Sequence, residues 1–185
     1  MKLGDWNLMG EEEWEMGPDR ETEKIIREFG AYSDWLFELK SVDPHVLKKP
    51  LAEGKWSASE IIAHILKWDE HLSDRVIPAV LEGEGMAFPE FGPFNNRAAA
   101  YAEKVTPGRL ITEAGAARNQ LVSRLFELPE SVLVRPAASN GDSHCPYTGS
   151  PYTLIYIIGD FIYHDQHHRQ QIDDFLGNAQ KHPIR

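Results

Sequence analysis

The stretch LIYIIGDFIYHDQHHRQQI, residues 154–172, decides how this chain is read. Its apolar positions Leu154, Ile157, Ile158, Phe161 and Ile172 recur at helical spacing, and His164 and His168 fall in the same register. Positions four apart on an α-helix differ by only about 40° around the axis, so the two imidazoles project from one face, one turn apart. Two imidazoles so placed can grip one metal ion, the geometric reason that HExxH works in zinc proteases. Without an ion, each ring in an apolar seam needs a buried partner, and an unsatisfied group there costs about 1–3 kcal/mol. His167 lies about 60° from His164 on the other side, so 164/167 is an alternative pair; the seam favours 164/168. Asp165 either orients a ligand imidazole through its second nitrogen or is a solvated helix residue.

Two ligands hold a metal poorly, so a third is sought elsewhere. The clearest helix start in the chain is Ser57-Ala58-Ser59-Glu60, which fits a capping box. Ile61, Ile65, Trp68, Leu72 and Val76 then form an apolar stripe, and His64 belongs to it. His64 is the candidate third ligand. His71, one heptad later, is expected at a boundary position. Pro78 is expected to kink or end this helix, with Gly83 and Gly85 marking its limit.

Two further helices follow from the same pattern. Ile25, Ile26, Phe29, Tyr32, Leu36 and Leu39 define a first helix from Asp19 to about Lys40, stopped before Asp43-Pro44. Thr106-Pro107 offers an N-cap and a proline at the first helical position. The third helix then runs to about Leu128, with Leu110, Ile111, Ala114, Ala117, Leu121 and Leu125 inward. Ser150-Pro151 repeats the cap-and-proline signal, so the fourth helix is expected over roughly 151–176, ended by Gly177. Residues 43–56 read as a polar loop, 83–106 as a long crossover with a short helix at Asn95–Lys104, and 130–150 as irregular. Four amphipathic helices make an all-α four-helix bundle the natural architecture. The expected organisation is an acidic arm at 1–17, the bundle at 18–178 and a tail at 179–185.

Composition removes several function classes. A chain of 185 residues is most economically one domain with a real core. A net charge of −10 argues against a nucleic-acid or anionic-membrane surface. The single cysteine, Cys145, excludes an internal disulfide and any multi-cysteine zinc site. No apolar run approaches eighteen residues, and MKLGDWNLMGEEEWEM lacks a signal-peptide pattern, so a cytoplasmic protein is expected. Cys145 beside His144 is a poor catalytic dyad, because adjacent residues rarely point at each other. Unless the loop folds back, both are expected to lie remote from His164. Trp6 and Trp14 give the arm a means of docking or of forming a homodimer.

Lys55-Trp56-Ser57, Glu60 and His64 resemble the start of the second helix in the DinB/YfiT-like superfamily of small metal-binding bundles. HDQHHRQQI at 164–172 is similar to that family's fourth-helix signature. The resemblance covers roughly 20–177. It implies an up-down-down-up topology, which agrees with the long crossover between the second and third helices. It also implies a divalent ion, often zinc or nickel, held by His64, His164 and His168. Some family members are thiol S-transferases or hydrolases. Three neutral imidazoles leave an open position, as in catalytic zinc sites. The leading expectation is therefore an enzyme whose metal activates a low-molecular-weight thiol, or water, to attack a small electrophilic substrate. The alternative is a non-catalytic metal-dependent ligand-binding or stress-response protein. Tyr32, Asp34, Asp69 and Glu70 are the candidate acid–base groups near the open position.

Overall fold

A computed structural model describes residues 17–181. The expected arm at 1–17 and the end of the tail lie outside this range but for Gly17. The chain between is all-α, with isolated bridges in its loops and no strand among the described residues.

Each bundle helix begins where a side chain satisfies the free N–H groups of its first turn. Asp19 caps α1 (Arg20–Glu38), accepting from Glu21 and Thr22. Ser57 caps α3 (Ala58–His71) in a reciprocal box: Glu60 N donates to Ser57 Oγ at 3.2 Å, and Ser57 N donates to Glu60 Oε2 at 2.8 Å. The polar segment before it holds a short helix, α2 (Pro44–Leu47), capped by Asp43. Beyond His71 the rod continues through a π-turn, Leu72–Val76, into α4 (Ile77–Leu81). Pro78 therefore does not end the helix. Proline lacks an N–H, and the widened turn, in which Ile77 N donates to Leu72 O, accommodates the missing bond.

The crossover carries α5 (Phe91–Ala102), four residues earlier at its start than expected, which lies along α3. Thr106 caps α6 (Pro107–Phe126), with Pro107 opening it as the sequence suggests. A short α7 (Glu130–Leu133) follows. The last helix, α8, spans Leu154–Lys181. Its cap is Thr153, whose Oγ1 accepts from Tyr156 N at 3.0 Å, and not Ser150. Pro151 instead pairs with His144 in a bridge of the preceding loop. Gly177 does not stop the helix, since a glycine inside one costs only about 1 kcal/mol.

Contacts between helices fix the topology. Gln166 reaches Glu28 and Asp173 accepts from Trp35, so α8 runs parallel to α1. Ser33 meets Asn119 and Gly30 faces Val122, so α6 is antiparallel to α1. Asp69 meets Arg118 and Ser73 meets Arg124, so α3 and its continuation run parallel to α6. The order is up-down-down-up, as the resemblance implies, with α1 and α3 on a diagonal. The core is divided in two. One half gathers Trp35, Leu36, Ile62, Leu66, Leu110 and Ile172, and the other Ile26, Phe29, Leu72, Leu125, Leu154 and Ile158. Between them lies a polar layer, and the candidate site belongs to it.

Candidate metal centre

His64 comes from the second turn of α3, in a phase set by the Ser57 cap, and is 3% exposed. His164 and His168 come from successive turns of α8. The structure brings the three rings together. Nε2 of His64 and Nε2 of His164 are 2.9 Å apart, and one ring nitrogen from each of the three lies within 4.8 Å of the other two. With metal–nitrogen bonds of about 2.0–2.1 Å, two ligand nitrogens stand about 2.9–3.4 Å apart between right-angled and tetrahedral geometry.

The tautomers suit the same purpose. His164 Nδ1 lies 3.0 Å from Asp165 Oδ1, and His168 Nδ1 lies 2.9 Å from Gln171 Oε1. An acceptor at Nδ1 keeps the proton there and leaves the Nε2 lone pair turned toward the cluster. Burial, and next the facing His164 and His168, lower the His64 pKa to about 3. Burial followed by His164 lowers that of His168 to about 4. Both rings are therefore neutral at pH 7, the form that ligates. His64 Nδ1 is buried and has no hydrogen-bond partner among the described residues. The donor set fits a borderline divalent ion such as zinc, nickel or copper.

Asp165 is buried and in contact with His164 Nδ1, so it is not a solvated helix residue. Its other oxygen accepts from Arg118 Nη2 at 2.7 Å. Arg118 is fully buried, forks onto both oxygens of Asp69 at 2.9 Å, and donates to Phe29 O. Its guanidinium also lies 3.7 Å over the Phe29 ring. Burial and the two carboxylates leave Arg118 permanently charged: burial opposes its charge, and Asp69 and Asp165 more than restore it. Two carboxylates against one guanidinium leave one buried negative charge in excess, directly behind the imidazoles. That excess favours a cation in front of them. Burial accordingly pushes the Asp69 carboxyl up to about 6, against the pull of Arg118.

Arg118 is absent from the inward set read from the sequence, where Ala117 stands in its place. The signal was present: Ile111, Ala114, Arg118, Leu121 and Leu125 step by three and four, and all are buried. Arginine in that register marks a buried ion pair.

The other candidates are placed elsewhere. His71 is half-buried, its Nε2 2.8 Å from Ala87 O, and His167 is exposed. Tyr32 and Asp69 belong to the buried layer behind the imidazoles, Asp34 is exposed, and Glu70 pairs with Lys67. None of these four lines the space in front of the histidines. That space is a cleft of about 630 Å³ with His64, His164 and His168 in its wall. Acid–base groups do line it, namely Asp142, Tyr152 and Asp160.

One side of the cleft is built from the segment read as irregular. Met86 N donates to Ala138 O, Asn140 N donates to Met86 O, and Phe88 N donates to Asn140 Oδ1 at 2.7 Å. Asn140 holds a left-handed backbone, φ 50°, which asparagine tolerates better than other non-glycine residues. The loop thus folds back as far as Asp142. His144 and Cys145 are outside the cleft lining. Cys145 is buried, and hydrogen bonds from Tyr156 and Thr148 lower its pKa to about 6. His144 faces Ser143.

Among solved structures, YfiT from Bacillus subtilis, described as a probable metal-dependent hydrolase with an unusual four-helix bundle topology, is similar in fold. Its TM-score is 0.66 at 15% identity, over 92% of this chain and 93% of that one. The colibactin self-resistance protein ClbS, solved in complex with double-stranded DNA, is similar with a TM-score of 0.62 at 17% identity. The match covers 86% of this chain and 95% of that one. No curated protein sequence matches the chain. The sequence model of the DinB superfamily matches residues 30–172. This chain belongs to the DinB superfamily.

Proposed function

We propose that this DinB-superfamily protein is a divalent-metal-dependent enzyme acting on a small electrophilic molecule, with His64, His164 and His168 as the metal ligands. The observation that carries this reading is the convergence of three imidazoles, from two helices, on the wall of an open cleft. The description of YfiT as a probable metal-dependent hydrolase supports it. A divalent ion bound by three imidazoles supplies Lewis-acid activation and lowers the pKa of water or a thiol in its open position.

The protein's own residues do the rest. Asp165 and Gln171 hold the α8 imidazoles in the ligating tautomer, and Arg118 holds Asp165. Trp56 packs against His64 and Phe161 against His164. Asp160 and Tyr152 are within the cleft to accept or deliver a proton. A small molecule, rather than nucleic acid, is the proposed partner. No lysine or arginine lines the cleft among the described residues, and the net charge of −10 disfavours phosphate backbones. The proposed setting is the cytoplasm; no described helix is long and apolar enough to cross a membrane.

Turnover decides between this reading and a non-catalytic, metal-dependent ligand-binding protein. Zinc- or nickel-loaded protein is assayed against a panel of small thiols paired with electrophiles, and of hydrolysable esters and amides. The expected result is turnover that chelation abolishes, metal restores and His164→Ala lacks. Stoichiometric metal binding without turnover on any pair would favour the binding protein.

A further inference from the structure

The cleft in front of the histidines has a selective chemistry beyond its metal ligands. Its walls are aromatic. Trp68 packs against Phe88, Phe91 and Phe161, with ring centroids 6.3, 5.8 and 6.0 Å away. Phe91 is 66% exposed, so most of its apolar face stays open at the rim. Two carboxylates, Asp142 and Asp160, also line the cleft, and neither has an ion-pair partner among the described residues. Within the same cleft, His64 is 97% buried and its Nδ1 has no hydrogen-bond partner among the described residues.

Position along α8 adds a distance. Asp160, His164 and His168 are successive members of an i, i+4, i+8 series, so carboxylate and imidazoles form a ladder with steps of about 6 Å. A ligand spanning one step has one end at a carboxylate and the other at the histidine cluster. The negative π-faces attract a cation as the carboxylate does. An anionic ligand of the same shape meets two like charges and, among the described residues, no lysine or arginine in the lining. A cleft of about 630 Å³ is of the size that encloses such a molecule.

We propose that this cleft selects a small aromatic ammonium compound, with the ammonium at Asp160, the ring among Trp68, Phe88, Phe91 and Phe161, and the remaining end toward the histidines. The selectivity for charge is a property of the cleft alone. It rests on the enzymatic reading above only where the bound cation is called a substrate.

The test uses three indoles of similar shape and different charge: tryptamine, neutral 3-ethylindole and indole-3-propionate. Each is titrated into full-length, chelator-treated protein at low salt by calorimetry, so that the anion has no metal to bind. Tryptamine is expected to bind at least about tenfold more tightly than indole-3-propionate, equivalent to about 1.4 kcal/mol. Asp160→Asn should reduce tryptamine affinity by about the same factor and leave 3-ethylindole unchanged, while Phe91→Ala weakens both. Equal affinities, a preference that survives Asp160→Asn, or no binding of any probe would overturn the proposal. The outcome separates from that of the metal reading. If the histidines hold no metal but the charge preference is found, the enzyme falls and the cleft assignment stands. If metal-dependent turnover is found without the preference, only the cleft assignment falls.

Discussion

At the scale of single residues, the buried charges make the sharpest demands. Arg118 satisfies two carboxylates and a backbone carbonyl from a position with no access to water. Replacing it with leucine strands Asp69 and Asp165 in the core and is expected to destabilise the protein by about 3–5 kcal/mol, read as a drop in the urea midpoint. Asp165→Asn is milder to the fold but weakens the hold on the His164 Nδ1 proton. Zinc affinity is expected to fall about 10–100-fold. An unchanged affinity in competition with a chromophoric chelator would remove Asp165 from any role at the site. The histidine pair was legible because i, i+4 spacing alone sets two side chains on one face. Arg118 was harder to read, since Ala117 and Arg118 both fall within the broad inward arc of α6. Asp160 was not singled out, because it falls between the apolar positions Ile158 and Phe161 and only the folded-back loop makes a cleft beside it.

At the scale of elements, caps decide where rings point. Ser57 fixes the start of α3 and so the phase in which His64 faces inward. Ser57→Ala is expected to cost about 1 kcal/mol of stability, measurable as a shift in the denaturant midpoint, with metal stoichiometry retained. Asn140 plays the corresponding part for the cleft. Asn140→Ala loses the bond to Phe88 N and places alanine in a left-handed backbone, a cost of about 1–2 kcal/mol. Faster hydrogen exchange at residues 86–88, with α6 unaffected, is the expected signature; uniform exchange rates would deny the loop its bracing role. Most helix limits were readable from capping and proline signals. The misreadings share a cause: Pro78 and Gly177, read as breakers, and Pro151, read as a helix start, are signals whose effect depends on surroundings. A π-turn carries the helix past Pro78, a loop bridge uses Pro151, and Gly177 sits inside a helix with enough other bonds to continue.

For the whole molecule, the polar layer links stability to pH. The unfolded chain protonates His64 near 6.5, whereas the folded metal-free protein resists until about 3. Below 6.5 the unfolded state therefore binds more protons, and stability is lost as the pH falls through that window. Asp69 acts in the opposite sense below about 6, because its folded pKa is raised. The histidine contribution is thus the difference between wild type and His64→Leu in chelator-treated protein. Between pH 7 and pH 5 the wild type should lose about 2 kcal/mol relative to the variant. Parallel curves would mean that His64 is not held neutral. The division of the core into two apolar halves follows from the same layer, which a stripe-by-stripe reading of apolar positions cannot reveal.

The ligand set is the claim on which the rest depends, and zinc titration of chelator-treated protein tests it most directly. Wild type, His71→Ala and His167→Ala are each expected to bind one equivalent, whereas His64→Ala and His168→Ala bind none stoichiometrically. Retention of one equivalent in all the variants, or its absence from the wild type, would contradict a metal centre at His64, His164 and His168.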